Sequence, residues 1–315
     1  MRTSEINVKY RETRRKLRGV KYQMENLWNK DVEKEFFTNS FKFATPEQLF
    51  YVTDSGKYVA YWPKGYPGKK STLQSRNSLI GNFTEKWTTD LIQKVIKDKG
   101  LFAVQNAVCE EIALTNMSPA DVVISKKKNI NQNPEDILAI LEVKMSVVWN
   151  WEFKKDESGI NLTCIGDYKT HQGNPGLLRS DSMLKAIGKS INIRVSSFKA
   201  SKIPIIVMGN TPITNSYYSK VDHLKVAGIV QGFWSVNTKP LDNNGENIKK
   251  TEKHGFYRFD AFDELRNSLE VLLSEDRNYF SSMKSRKELG RIIELANKET
   301  TYEKKGEVFL KLINE

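Results

Sequence analysis

The chain has 315 residues, enough for one large domain with additions or for two domains, and its 39% apolar content excludes a disordered protein. Its 50 Lys and Arg residues against 38 Asp and Glu residues give a formal net charge of +12, which favours a polyanionic partner such as nucleic acid or an acidic membrane surface. No apolar run approaches the ~18–20 residues of a membrane span, and the first residues lack the apolar stretch of a secretion signal. We therefore expect a cytoplasmic protein without a membrane partner.

Metal ligands of the thiolate or imidazole kind are not expected from this sequence. Its two cysteines, Cys109 and Cys164, are too few for a disulfide framework, and its three histidines occur singly, without a CxxC or HExxH spacing. A metal here would be a hard ion held by carboxylate oxygens. The chain also lacks the glycine-rich GxxxxGKS/T loop, so we expect no nucleotide cofactor.

Residues 1–76 are predicted to be an N-terminal addition. The first 27 residues or so read as a helix, and its dense basic block is either a solvated helix face or a DNA-contacting arm: Arg11, Arg14, Arg15, Lys16, Arg18 and Lys21. Residues 50–76 are rich in Tyr, Gly, Pro, Lys and Ser and predict an irregular or hairpin connection. We place a domain boundary at its end.

Residues 77–275 are predicted to form the core, and residues 276–315 a helical C-terminal extension. Apolar spacing and turn residues predict, in chain order, a helix over 78–98, strands around 104–113, 120–124 and 137–148, a helix over 181–195, strands over 203–209, 226–236 and 255–259, and helices from 262 onwards. This order predicts an α/β fold.

The strand ILAILEVKMSV, residues 137–147, contains one carboxylate and one ammonium among apolar residues. Glu142 and Lys144 are two positions apart, so they emerge on the same face of the strand. A buried charge needs a partner or a metal, so this placement requires a reason. The acidic-x-Lys pattern itself occurs four times, beginning at Glu142, Glu152, Asp167 and Glu303, but only the first lies in a long apolar strand.

The preceding strand begins with an acid, Asp121, within SPADVVIS. A polar loop joins the two strands, so they can pair antiparallel and bring Asp121 beside Glu142. Asp136 is the rival candidate, but it lies six residues before Glu142 on what reads as the same strand, roughly 20 Å away. We therefore select Asp121.

These residues resemble the PD-(D/E)xK nuclease superfamily over roughly residues 81–273. In that superfamily a helix with an acid precedes the sheet, an Asp opens one strand, (D/E)xK ends the next, and a helix with Lys, Gln or Asn follows. The matching residues here are Glu85, Asp121, Glu142, Lys144, Lys185 and Lys189. The sequence departs from the pattern at one point, because Ala120 separates Pro119 from Asp121.

The resemblance implies a restriction-endonuclease-like core, with a central mixed β-sheet flanked by helices. It implies Mg²⁺ held by the carboxylates of Asp121 and Glu142 and the backbone carbonyl of Val143, and a Lys144 that positions or activates water. The chain looks most like a type II restriction endonuclease, a homodimer that cuts double-stranded DNA. Three alternatives stay open: a structural Glu–Lys ion pair, a nucleic-acid-binding protein without catalysis, and a structure-specific repair or recombination nuclease.

Further residues have both a functional and a structural interpretation. Glu85 is either an acid reaching towards the site or, three residues after Asn82, part of a capping box. On the following helix Lys185, Lys189 and Asn192 share a face and are candidates for phosphate contacts, although an exposed basic face is slightly favoured for each residue taken singly. The loop before that helix offers His171 and three further side chains able to read base edges, Gln172, Asn174 and Arg179, although most such loops are polar turns.

Overall fold

The computed structural model describes residues 27–68, 72–156, 159–243, 245–275, 277–280 and 284–315. The basic block of the predicted N-terminal helix lies outside these ranges. Within them the helices are α1 (Lys30–Ser40), α2 (Pro46–Leu49), α3 (Gln74–Ile96), α4 (Ser180–Ser196), α5 (Tyr218–Val226), α6 (Phe262–Ser274), α7 (Arg286–Ala296) and α8 (Tyr302–Asn314). The strands are β1 (Tyr51–Val52), β2 (Tyr58–Val59), β3 (Phe102–Ala107), β4 (Ala120–Ser125), β5 (Ile137–Lys144), β6 (Asn150–Asp156), β7 (Gly159–Gly166), β8 (Ile205–Gly209), β9 (Gly232–Ser235) and β10 (Phe256–Arg258).

The main sheet has six strands in the order β10-β9-β8-β5-β4-β3. Strands β5, β8, β9 and β10 are parallel, while β3, β4 and β5 pair antiparallel. This confirms the predicted α/β fold with a mixed sheet. The predicted pairing of the two strands that carry the acids is also confirmed, because Val122 lies opposite Leu141 in the antiparallel β4–β5 ladder.

Helices cover both faces of this sheet. On one face Ile92 and Ile96 of α3 pack with alternate strand residues such as Val122 and Leu141. On the other face Ile193 of α4 packs with the residues between them, such as Val123 and Ile140. Strands buried on both faces read as continuous apolar runs, which is why β5 is so apolar in sequence. None of the helices in the described part of the chain is long and apolar enough to cross a membrane.

A second sheet has four antiparallel strands in the order β1-β2-β6-β7. The β6–β7 hairpin was not predicted, because charged residues at Glu152, Lys154 and Lys155 weaken the apolar alternation that marks a strand. Strand β2 pairs with β6, so chain from the predicted N-terminal addition and chain from the predicted core share this sheet.

Glu33 of α1 holds the connection between β5 and β6. Its fully buried carboxylate accepts hydrogen bonds from the backbone N–H groups of Val148 and Trp149 at 2.6 and 3.2 Å. It also accepts from the indole N–H groups of Trp28 and Trp151 at 3.0 and 2.9 Å. Burial raises the pKa of Glu33 to about 7, although all four donors act in the opposite direction.

Several predicted strands are longer than the observed strands, and two of them run six residues past an observed end. The strand predicted over 104–113 ends at Ala107, and Asn106 and Ala113 have left-handed φ values of 54° and 58°. The strand predicted over 226–236 is confined to β9, because α5 runs to Val226 and Gly228, with φ 72°, turns the chain before β9 begins. In both places a turn interrupts an apolar run that is otherwise typical of a strand.

Candidate active site

Two carboxylates meet where β4 begins and β5 ends. The register of the antiparallel ladder places Asp121 opposite Glu142, on the same face of the sheet. Asp121 Oδ2 accepts a hydrogen bond from the backbone N–H of Val143 at 2.6 Å, so the acid is fixed against the neighbouring strand. The Glu142 side chain is only 6% exposed. The structure therefore brings together the two acids that the sequence analysis paired.

Lys144, the last residue of β5, contacts both acids. Its Nζ lies 2.5 Å from Glu142 Oε1 and 3.8 Å from Asp121 Oδ2, and it donates to the carbonyl oxygen of Val143 at 3.2 Å. The Lys144 side chain is 20% exposed, so its ammonium reaches solvent from the edge of the cluster. A lysine in this position can contact both the carboxylates and a ligand that arrives from outside.

A second ammonium, that of Lys189 on α4, closes the cluster from the helix side. Lys189 Nζ lies 2.6 Å from Glu142 Oε2 and 3.2 Å from Asp121 Oδ1, and it donates to the carbonyl oxygen of Pro119 at 2.8 Å. Sequence analysis proposed Lys189 as a phosphate contact on a shared face with Lys185 and Asn192. The structure places Lys189 between the carboxylates and leaves Lys185 and Asn192 exposed to solvent.

Glu85 lies in the middle of α3, which begins at Gln74, so Asn82 cannot cap the helix and the capping-box interpretation of Glu85 is wrong. The half-buried Glu85 carboxylate accepts a hydrogen bond from Gln105 Nε2 of β3 at 3.2 Å. Its charge interacts with those of Asp121, Lys144 and Lys189, which places it beside the cluster. Gln105 was missed by the sequence analysis, where its only signal is an amide in an otherwise apolar strand.

The electrostatics of the cluster follow from burial and from its excess of acids. Burial first, and the Asp121 charge second, raise the pKa of Glu142, while the two lysines oppose that shift. Burial and the Asp121 charge likewise raise the pKa of Glu85. Burial alone would lower the pKa of Lys189, but the Asp121 and Glu142 carboxylates outweigh it and raise that pKa. Three carboxylates against two ammoniums leave the cluster able to accept a further cation.

The donor set fits a hard divalent ion such as Mg²⁺, which proteins commonly hold through one or two carboxylates and which otherwise keeps water or phosphate oxygens. Glu142 Oε2 is buried and, among the described residues, accepts no hydrogen bond of good geometry, although the Lys189 ammonium lies 2.6 Å away. The carbonyl of Val143 adds a neutral oxygen at the end of β5. Within the described ranges no group of three or more His, Cys, Asp or Glu side chains is placed to hold a metal ion, so an ion at Asp121 and Glu142 would take its other ligands from the Val143 carbonyl, water or phosphate.

The remaining predicted site residues lie in the loop that leads into α4. At Gly176, with φ 53°, an added Cβ would lie 3.2 Å from the Lys144 carbonyl oxygen, so this loop passes the end of β5. Gln172 Nε2 donates to the Pro63 carbonyl at 3.0 Å and fastens the loop to the segment after β2. Asn174 is exposed, and the guanidinium of Arg179, also exposed, pairs with Asp181 at 2.8 Å. Asn174 and Arg179 are thus accessible near the cluster without contacting it.

Comparisons of this chain with protein-family models, with curated proteins and with solved structures found no match. The class of protein is therefore argued from the chemistry and arrangement of the site.

Proposed function

We propose that the protein is a Mg²⁺-dependent endonuclease of the PD-(D/E)xK type with a restriction-endonuclease-like core, and that it hydrolyses phosphodiester bonds of double-stranded DNA. One observation carries the proposal. Asp121 from the start of β4 and the Glu142–Lys144 pair from the end of β5 meet at one end of two interior strands of the main sheet, with a lysine from the next helix beside them. Carboxylates that can hold a divalent ion, beside an ammonium that faces solvent, can supply the charge stabilisation that phosphodiester hydrolysis needs.

In this proposal Asp121, Glu142 and the Val143 carbonyl hold the ion. Bound Mg²⁺ supplies a Lewis acid that offsets the charge developing on the phosphate. Lys144 Nζ, at the exposed edge of the cluster, orients the attacking water and contacts the phosphate oxygens. Lys189 Nζ orients both carboxylates, because it contacts one oxygen of each. Glu85, held by Gln105, adds negative charge beside them.

The net charge of +12 and the accessible loop before α4 support DNA as the substrate. Lys185, Asn192, Asn174 and Arg179 remain candidates for DNA contacts from that side. We further propose a type II restriction endonuclease that acts as a homodimer, each subunit cutting one strand of a symmetric site. The cytoplasmic location stays a prediction.

The test is incubation of purified protein with plasmid and phage DNA, with and without Mg²⁺, beside Asp121→Ala and Lys144→Ala. Discrete fragments that require Mg²⁺ and disappear with both variants are expected. Intact DNA with the wild-type protein, together with salt-sensitive DNA binding that both variants retain, would overturn the catalytic proposal. Branched and nicked substrates, cut in preference to plasmid DNA, would instead identify a structure-specific nuclease.

A nucleic-acid-binding protein without catalysis is the second candidate. The observation that favours it is that the charges of the cluster already compensate one another. Each of the two ammoniums contacts both Asp121 and Glu142. In such a protein the pairs stabilise the sheet and α4 only. Asp121→Ala would then lower stability and leave DNA binding unchanged, with no cleavage by either protein.

A further inference from the structure

Helix α4 carries two apolar stripes, and the described residues of the chain pack against only one of them. The inward stripe faces the main sheet and consists of Met183, Ala186, Ser190 and Ile193, all buried. The outward stripe follows the same spacing of three and four residues on the other side and consists of Leu184, Gly188, Ile191 and Val195, continued beyond the helix by Phe198. A helix that is apolar on both faces is normally covered on both faces.

The side chains of the outward stripe are at least 40% exposed among the residues that the structure describes. Leu184 and Val195 are 62% and 66% exposed, Ile191 is 40% exposed, and Phe198 is 72% exposed. Single exposed apolar side chains are ordinary on protein surfaces, but a contiguous row along one helix marks an interaction surface. Its spacing is that of a seam between two helices.

Gly188, in the middle of the outward stripe, has no structural explanation among the described residues of one chain. A glycine in a helix costs about 1 kcal/mol relative to alanine. A Cβ added at Gly188 would meet open space, and its φ is not in the left-handed region. Neither crowding by the described residues nor backbone strain therefore requires glycine here. Close approach of another helix would require a glycine, because the absence of a side chain leaves room for a side chain of the facing helix.

The lack of charge along the outward stripe limits which kind of partner can cover it. The exposed residues of the outward stripe from Gly188 to Phe198 carry no charge, nor do their exposed neighbours Asn192 and Ser196. Nucleic acid or an acidic protein would be met by exposed lysine and arginine along the stripe, whereas the exposed lysines of this segment, Lys185 and Lys199, lie beside its two ends. Two copies of a chain with a net charge of +12 repel each other over most of their surface, so an uncharged stripe is where they can meet.

The outward stripe also has complementary ends. A cavity of about 330 Å³ adjoins its C-terminal end, between Val195, Phe198, Tyr279 and Phe280. Leu184 lies at the N-terminal end of the stripe. Leu184 and Phe198 are equally distant in sequence from Ile191, on opposite sides of it. When two α4 helices cross antiparallel about an axis at Ile191, Leu184 of each copy meets the cavity end of the other. Such reciprocity is the property of an interface between identical chains related by a two-fold axis.

The available area suits a specific dimer. The exposed side chains Leu184, Ile191, Val195, Phe198 and Phe280 each offer on the order of 100 Å² of apolar surface. Two copies together therefore bury roughly 1,000 Å² of apolar surface before any polar rim is added, which is about the lower limit for a specific interface.

We propose that the outward stripe of α4 is the contact between two copies of this chain, packed antiparallel with Gly188 at the closest approach. The significance of that contact for catalysis rests on the proposed nuclease function. Lys189 lies next to Gly188 in sequence and reaches the carboxylates on the inward side of α4. The paired helices would thus place the two catalytic clusters symmetrically about one two-fold axis. Cleavage of both strands of a symmetric DNA site requires such an arrangement.

Sedimentation velocity of the full chain at low micromolar concentration, without DNA or Mg²⁺, tests the contact. The wild-type protein is expected to sediment as a dimer, and Ile191→Glu, which places two carboxylates near the axis, is expected to weaken association by roughly 100-fold. Val226→Glu is the matched control, because Val226 is 73% exposed at the end of α5. It should dimerise like the wild-type protein. Gly188→Leu should weaken the dimer while the melting temperature of the dilute monomer stays equal or rises.

A wild-type protein that sediments as a monomer, or an Ile191→Glu variant that associates as tightly as the wild-type protein, would overturn the proposal. Equal weakening by Val226→Glu would do the same, because it would show association through general surface charge. Asp121→Ala should dimerise normally. Loss of nuclease activity therefore leaves this measurement unchanged, and the two proposals can fail separately.

Discussion

Glu142 and Lys144 on β5 repeat the residue types and spacing of Glu152 and Lys154 on β6, ten residues further along the chain. In each strand the lysine pairs with the glutamate, at 2.5 Å in β5 and 3.0 Å in β6. The surroundings differ. Lys144 is 20% exposed and also reaches Asp121, whereas Lys154 is 67% exposed and has no second carboxylate within ion-pair distance in the described part of the chain.

The difference comes from what lies beside each strand. Strand β5 is flanked by β4 and β8 and covered by α4, so Asp121 and Lys189 reach its charged residues where little water is present. Strand β6 belongs to the four-stranded sheet, where its lysine extends into solvent. A tripeptide therefore becomes a candidate site only when neighbouring elements supply further charges and exclude water.

The largest expected effect is on DNA cleavage by two matched variants. Lys144→Gln should lower the rate by about 10²–10⁴-fold, because an ammonium that orients water and contacts phosphate is lost. Lys154→Gln removes the same charge from the repeated tripeptide and should leave the rate within about twofold. Single-turnover cleavage of plasmid DNA with Mg²⁺ measures both, and equal losses would show that only the overall basic charge matters.

Glu33, which binds the connection between β5 and β6, is expected to make the stability of the protein depend on pH. Its pKa rises from an ordinary 4.5 to about 7 on folding. The folded chain therefore binds more protons than the unfolded chain between these values, and the free energy of unfolding falls as the pH rises through that range, by about 3 kcal/mol from this group. Its contribution becomes constant about one pH unit above the folded-state pKa of about 7.

Urea unfolding of the wild-type protein and of Glu33→Gln between pH 4.5 and pH 8 measures this contribution. The variant lacks the titration, so the stability of the wild-type protein relative to it should fall with rising pH. A difference that is independent of pH would mean that the four N–H donors keep the carboxylate ionised at all these pH values.

The contributions of the ion pairs of β5 and of β6 to stability can be compared through Lys189 and Lys154. Lys189→Met removes one of the two ammoniums that contact Asp121 and Glu142, and it should lower the free energy of unfolding by about 2 kcal/mol. Lys154→Met breaks a pair whose ammonium is 67% exposed and whose carboxylate is 13% exposed, and it should change the free energy of unfolding by about 1 kcal/mol or less. Urea titration in EDTA measures both, and similar values would mean that burial does not distinguish the two pairs.

The smallest expected effect is that of Gln105→Leu, which removes the hydrogen bond to Glu85. A net loss of about 1 kcal/mol in the positioning of that carboxylate corresponds to about a fivefold lower cleavage rate. The same variant should bind DNA as tightly as the wild-type protein. A rate equal to that of the wild-type protein would show that Glu85 takes no part in the reaction.

Much of the main sheet was predictable because its strands are buried on both faces and its first helix has a regular apolar stripe. The pairing of Asp121 with Glu142 followed from two apolar strands joined by a short polar loop. The β6–β7 hairpin was missed because charged side chains on its solvent-facing positions hide the alternation. Strand predictions that ran past Ala107 and began at Val226 failed because left-handed residues and a helix end are weak signals in an apolar run.

The sequence by itself determined which residue types could form a site and their order along the chain, because strand alternation fixes which side chains share a face. It also determined the α/β alternation. Only the tertiary structure decided that Lys189 contacts both carboxylates, that Gln105 donates to Glu85, and that the described residues leave the outward stripe of α4 exposed. The contacts of Gln105 and Lys189 join residues 20 to 68 positions apart, and the packing that creates these contacts depends on every intervening element.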